Sequence, residues 1–167
     1  MFMMFSKDDV FVKITDFVTK IGIPIHYGQL ENESFLQGLM IDKGTLIIDK
    51  SRLKYIGDVL HEAGHIALMK PSEREHLTGT LEGQSDPEAT EMMVIAWTYA
   101  ACLEIGIDPS VVFHPDGYKG GSQSIMENFG AGRYFGVPML QYYGLTHERK
   151  KQESDIVFPE MRTWVRT

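Results

Sequence analysis

The segment His61-Glu62-Ala63-Gly64-His65 constrains this chain more than any other, because it lies inside a run of helical periodicity and carries two potential metal ligands at a fixed spacing. On an ideal helix, residues four apart differ by about 40° around the axis, so both imidazoles can face one point. Glu62 stands beside them and can reach a water held at that point. A fold that uses the motif must keep this helix rigid, partly buried and faced by a further ligand. Ala63 and Gly64 keep the adjoining surface small enough for a second element to pack closely.

The periodicity predicts a helix from about Arg52 to Met69, capped by Ser51 and closed by Pro71, with Leu53, Ile56, Leu60, Ala63 and Ala67 on its apolar stripe. Upstream, Ser6 followed by Asp8 and Asp9 caps an amphipathic helix ending near Gly22. Ile23–Tyr27 reads as a short strand. SFLQGLMI and TLIIDK read as a hairpin turning at Asp42-Lys43-Gly44. A small antiparallel sheet is therefore expected as the second layer.

Downstream of a polar, turn-rich stretch from Pro71 to Ser85, Asp86 and Pro87 open a further helix that stops near Gly106. It is apolar on nearly every face after Glu91, the pattern of a buried central helix. A loop VVFHPDGYKGGSQ, two short helices in SIMENFGAGRYFG and VPMLQYYG, and a polar tail ending in IVFPEMRTWV complete the chain. With 167 residues, 43% of them hydrophobic, and no repeat or linker, the expectation is one α+β domain spanning residues 1–167.

A catalytic zinc takes three protein ligands and leaves one position open, so the two histidines need a third partner. Glu88 and Glu91 lie 23 and 26 residues beyond His65, at the start of the buried helix, and share one face of it. Glu91 is favoured because it adjoins the apolar run, where a buried carboxylate needs a cation or hydrogen bonds. Glu88, in the first turn, is well placed simply to face the helix N-terminus. Asp58 can accept the second ring N–H of a ligating histidine, or can be a solvated helix residue. His26, His76, His114 and His147 lack ligand spacing, though His114 or Tyr118 can face the site from the glycine-rich loop. Tyr99, Tyr118 and His114 are the candidates for an oxyanion donor.

The order strand, HExxH helix, then glutamate opening an apolar helix resembles the ImmA/IrrE group of zincin-like metallopeptidases. The resemblance covers roughly residues 23–103 and rests on TLIIDKSRLKYIGDVLHEAGHIAL and on Glu91-Met92-Met93-Val94-Ile95-Ala96, which keeps the family's glutamate and the alanine five positions later. The family's usual Ala-Asn after the glutamate is Met-Met here. The resemblance implies a zincin-like fold, with the small sheet packed on the HExxH helix and a buried second helix. It further implies a gluzincin-like zinc site of His61, His65 and Glu91, with Glu62 as general base.

The activity so implied is zinc-dependent hydrolysis of a peptide bond, with a peptide or regulatory protein as substrate. The alternative is a non-catalytic binding or regulatory protein that keeps the fold. A net charge of −7, scattered along the chain, argues against a nucleic-acid partner. Neither a signal-peptide core nor a membrane span is legible, so a cytoplasmic location is the expectation. Cys102, in an apolar run, reads as a buried hydrophobe.

Overall fold

The computed structural model describes residues 4–31, 36–79 and 87–167. Helix α1 (Lys7–Lys20) begins as expected: Ser6 Oγ accepts the Asp9 N–H at 3.1 Å and Asp9 returns bonds to Ser6, a reciprocal cap that satisfies donors the helix cannot. Its apolar face, centred on Ile14 and Val18, is buried against helix α2 (Gly57–Leu68).

Strands β2 (Leu39–Asp42) and β3 (Thr45–Ile48) form the expected hairpin. Lys43 and Gly44 both have positive φ, the two-residue turn whose twist suits flanking antiparallel strands. Ser34 and Phe35, at the start of the expected first arm, lie outside the described residues. Strand β1 (Ile25–Tyr27) corrects the expected all-antiparallel sheet, because it pairs parallel to β3 with Ile25 opposite Leu46 and Tyr27 opposite Ile48. The sheet is thus mixed, in the order β1-β3-β2. The most apolar strand takes the centre, where Leu46 and Ile48 are fully buried.

Helix α2 starts five residues later than its periodicity predicts. Ser51 is not its cap: the Ser51 hydroxyl and N–H both bond to Asp49 Oδ1, and the N–H groups of Arg52 and Leu53 turn back onto the Asp49 carbonyl. This local turn competes with helix for the same backbone groups. Gly57 opens the helix where a Cβ would lie 2.1 Å from the Val111 carbonyl, so only glycine allows the two backbones to approach there. At the other end, Arg74 on the unforeseen short helix α3 (Pro71–Arg74) donates to the carbonyls of Ile66, Ala67 and Met69. A cation thereby meets the negative end of the helix dipole.

Helix α4 (Pro87–Ile105) is buried from Met93 to Cys102 on almost every face, and Cys102 is wholly enclosed. The expected cap Asp86 lies outside the described residues. Gly64 of α2 sits where a Cβ would come within 2.9 Å of Trp97 and 3.0 Å of Val94, so α2 and α4 touch almost backbone to side chain. Trp97 is fixed in turn by its indole N–H, which donates to the Trp164 carbonyl at 2.9 Å, and by edge contacts with Trp164 and a tilted contact with Phe17. Helices α5 (Ser122–Gly130) and α6 (Val137–Tyr142) match the two short helices expected. The carboxy-terminal segment closes the back of α2, where Arg166 N–H bonds to the Ala67 carbonyl. No helix among the described residues is long and apolar enough to cross a membrane.

Candidate metal centre

The close approach at Gly64 brings the first turns of α4 against the middle of α2. Glu91, one turn before Val94, then faces the two histidines. His61 Nε2 lies 3.1 Å from Glu91 Oε1, His65 Nε2 lies 3.2 Å from Glu91 Oε2, and the two ring nitrogens are 3.2 Å apart. These three residues form a group whose donor atoms all lie within 4.8 Å of one another. The geometry separates the two candidate glutamates: Glu91 joins the histidines, whereas Glu88 is exposed in the first turn.

Zinc–nitrogen and zinc–oxygen bonds of about 2.0–2.1 Å in a tetrahedron put neighbouring donors about 3.3 Å apart. The 3.2 Å between the two Nε2 atoms matches this spacing, each imidazole lies 3.1–3.2 Å from one of the two Glu91 oxygens, and two imidazoles with one carboxylate are a donor set suited to zinc. His61, His65 and Glu91 therefore fit a metal ion. The cluster is graded in burial: the His65 side chain is 1% exposed, that of His61 13% and that of Glu91 39%. Of the three side chains, that of Glu91 is the most open to solvent.

The three side chains polarise one another. Burial acts to lower the pKa of His61, but the hydrogen bond and charge of Glu91, aided by Glu62 and Asp58, outweigh it and raise the value. Burial acts to raise Glu91, but its bonds to His61 and His65 dominate and hold the carboxyl far below the usual carboxylate range. A carboxylate held low and set against two ring nitrogens is an arrangement that a divalent cation can take over. Glu62, beside His61, is half-buried, and its carboxylate acts on the same imidazole through space.

The loop after α4 supplies contacts that the sequence left open. Tyr118 Oη lies 2.9 Å from His61 Nδ1, the ring nitrogen facing away from Glu91, and its ring meets the imidazole edge-on. Burial first, then the charges of Glu91 and Asp58, push the Tyr118 phenol well above its ordinary value, so it stays neutral. Asp58 does not bond to His61 or His65 and is not simply solvated either. Its Oδ1 pairs with His114 Nε2 at 2.9 Å, and the His114 ring stacks on Tyr55 at 3.7 Å. Tyr55 in turn hydrogen-bonds to Asp116.

The three oxyanion candidates thus separate. Tyr99 is turned towards Phe129 and Tyr134, His114 is committed to Asp58, and Tyr118 alone touches the cluster, from behind His61. His65 Nδ1 is buried with no hydrogen-bond partner among the described residues. The remaining histidines stay apart: His76 lies by Glu75 and His147 by Asp155. The expectation that His114 or Tyr118 faces the site from the glycine-rich loop is met by Tyr118 at His61, while His114 reaches Asp58 one turn earlier.

No family model, curated protein or solved structure matches the chain. The site therefore stands on its own geometry. That geometry is of the kind expected for an HExxH motif completed by a downstream glutamate, in an α+β arrangement consistent with a zincin-like fold.

Proposed function

We propose that this protein is a zinc-dependent metallopeptidase, with His61, His65 and Glu91 as ligands and Glu62 as the general base. The observation that carries the reading is the convergence of two imidazoles and a carboxylate from α2 and α4, with one donor atom from each residue within 4.8 Å of the others. Zinc held there supplies Lewis-acid chemistry, activating a water and polarising a carbonyl. Glu62 accepts the proton of the attacking water and delivers it to the departing amine nitrogen as the C–N bond breaks. His65, almost fully enclosed, anchors the cluster, while the partly open Glu91 side faces the substrate. The resemblance of residues 23–103 to the ImmA/IrrE group supports a peptide or regulatory protein as substrate.

Metal analysis of the purified protein, with activity on a peptide library, tests this. One zinc per chain is expected. Glu62→Gln is expected to abolish cleavage while keeping the metal, and Glu91→Ala to lose the metal. Failure to bind zinc even when it is added would overturn the proposal. Stoichiometric zinc without cleavage of any library peptide would favour the non-catalytic reading, a binding or regulatory protein of the same fold.

A further inference from the structure

We infer that Tyr118 is a positioning residue that fixes the tautomer and orientation of His61 for metal ligation. This rests on the metal-site reading above and assigns a role outside the ligands and the base. A histidine that ligates through Nε2 must carry its remaining proton on Nδ1. That N–H then needs an acceptor, because a buried donor left unpaired disfavours the ligating form. The Tyr118 hydroxyl oxygen lies 2.9 Å from His61 Nδ1, and the two rings meet at 88°, which places the phenol at the imidazole edge.

Two further observations show that this contact is built. Tyr118 and Lys119 have φ values of 57° and 53°, in the left-handed region that side chains other than glycine seldom occupy. Glycines stand at 117, 120 and 121, so the loop carries the residue suited to such backbone on both sides of the strained pair. An aromatic residue is nevertheless at 118. The loop is also clamped onto α2 by the His114–Asp58 pair at 2.9 Å and by the stack of His114 on Tyr55. That clamp grips the chain one turn before His61. The strain is thus held by contacts whose effect is to aim one hydroxyl at one ring nitrogen. The other ligating histidine has no such partner among the described residues, so the support falls on His61.

Tyr118→Phe removes the hydroxyl and keeps the ring. Zinc affinity measured by competition with a chromophoric chelator should fall about 10- to 100-fold, the usual effect of losing the partner of a ligating histidine. The metal-free protein should still unfold in one cooperative transition, with a midpoint lowered only modestly by the lost hydrogen bond. In the zinc-loaded, unsubstituted protein, nitrogen-edited NMR should show a slowly exchanging Nδ1 proton on His61, which is lost or exchange-broadened in Tyr118→Phe. Equal zinc affinity of the two proteins, or a zinc-loaded His61 protonated on Nε2, would overturn the role of Tyr118 while leaving the metal site standing. No zinc binding by the unsubstituted protein would overturn both.

Discussion

Replacing Gly64 by alanine tests the link between helix packing and the metal centre. A methyl group at this position would lie 2.9 Å from Trp97 Cε3, 3.0 Å from Val94 Cγ1 and 3.3 Å from Trp97 Cζ3. The first two distances are roughly half an ångström inside normal carbon–carbon contact. Trp97 cannot swing aside, since it is wholly buried, bonded to the Trp164 carbonyl and packed against Phe17 and Trp164. Helices α2 and α4 must therefore separate. Overpacking of this kind costs about 1–3 kcal/mol, against which alanine regains about 1 kcal/mol of helix propensity. The expected balance is a loss of about 1 kcal/mol, which for a chain of this size lowers the thermal midpoint by about 2–4 °C.

Gly130 provides the control: it lies in α5 and a methyl added there would meet nothing within 4 Å, so Gly130→Ala should be neutral or slightly stabilising. The separation of α2 from α4 also moves Glu91 away from both imidazoles, so zinc affinity should fall with Gly64→Ala and not with Gly130→Ala. Urea denaturation and chelator competition on the two variants measure both effects. A Gly64→Ala protein as stable as the unsubstituted chain, with unchanged zinc affinity, would refute the claim that this contact sets the ligand spacing.

The metal-free cluster should show its own pH dependence. Glu91, lowered from 4.5, stabilises the fold above about 4.5 and loses that contribution as pH falls; His61, raised from 6.5, stabilises below about 6.5 and loses it as pH rises. Urea unfolding of the metal-free protein from pH 4 to 8 should therefore show a contribution largest between about 4.5 and 6.5 that Glu91→Gln removes. Arg74→Ala strips partners from the carbonyls of Ile66, Ala67, Met69 and Arg166, and should destabilise the protein by about 2 kcal/mol in the same assay. His114→Ala leaves the Asp58 carboxylate, 18% exposed, without its partner. Calorimetry should show a loss of about 1–3 kcal/mol, and zinc affinity should drop by less than in Tyr118→Phe.

Much of the architecture could be read locally because it depends on local chemistry. The Ser6 cap, the Lys43-Gly44 turn and the buried character of α4 each follow from residues within one or two turns of one another. The misread boundaries have local competitors that periodicity ignores. Ser51 looked like a cap, but Asp49 takes its hydroxyl and N–H, so α2 waits until Gly57. The direction of β1 was not legible, since pairing with β3 across the hairpin depends on which strand edge is free when the layers assemble.

The same division holds at the metal centre. The sequence by itself determined that His61 and His65 share a face with Glu62 beside them, because helix geometry fixes residues four apart regardless of surroundings. It also narrowed the candidates for a third ligand to two glutamates on one face of one helix. Only the tertiary structure shows which of them lies beside the histidines. Gly64 lets α4 approach α2 closely, and the resulting packing turns Glu91, not Glu88, towards the two ring nitrogens. Tyr118 and the Asp58–His114 pair also belong to the tertiary level, because loop 113–121 meets α2 through contacts separated by more than fifty residues. Spacing along a helix is a local property, whereas the partner on the far side of a ligand is decided by how the chain folds back over it.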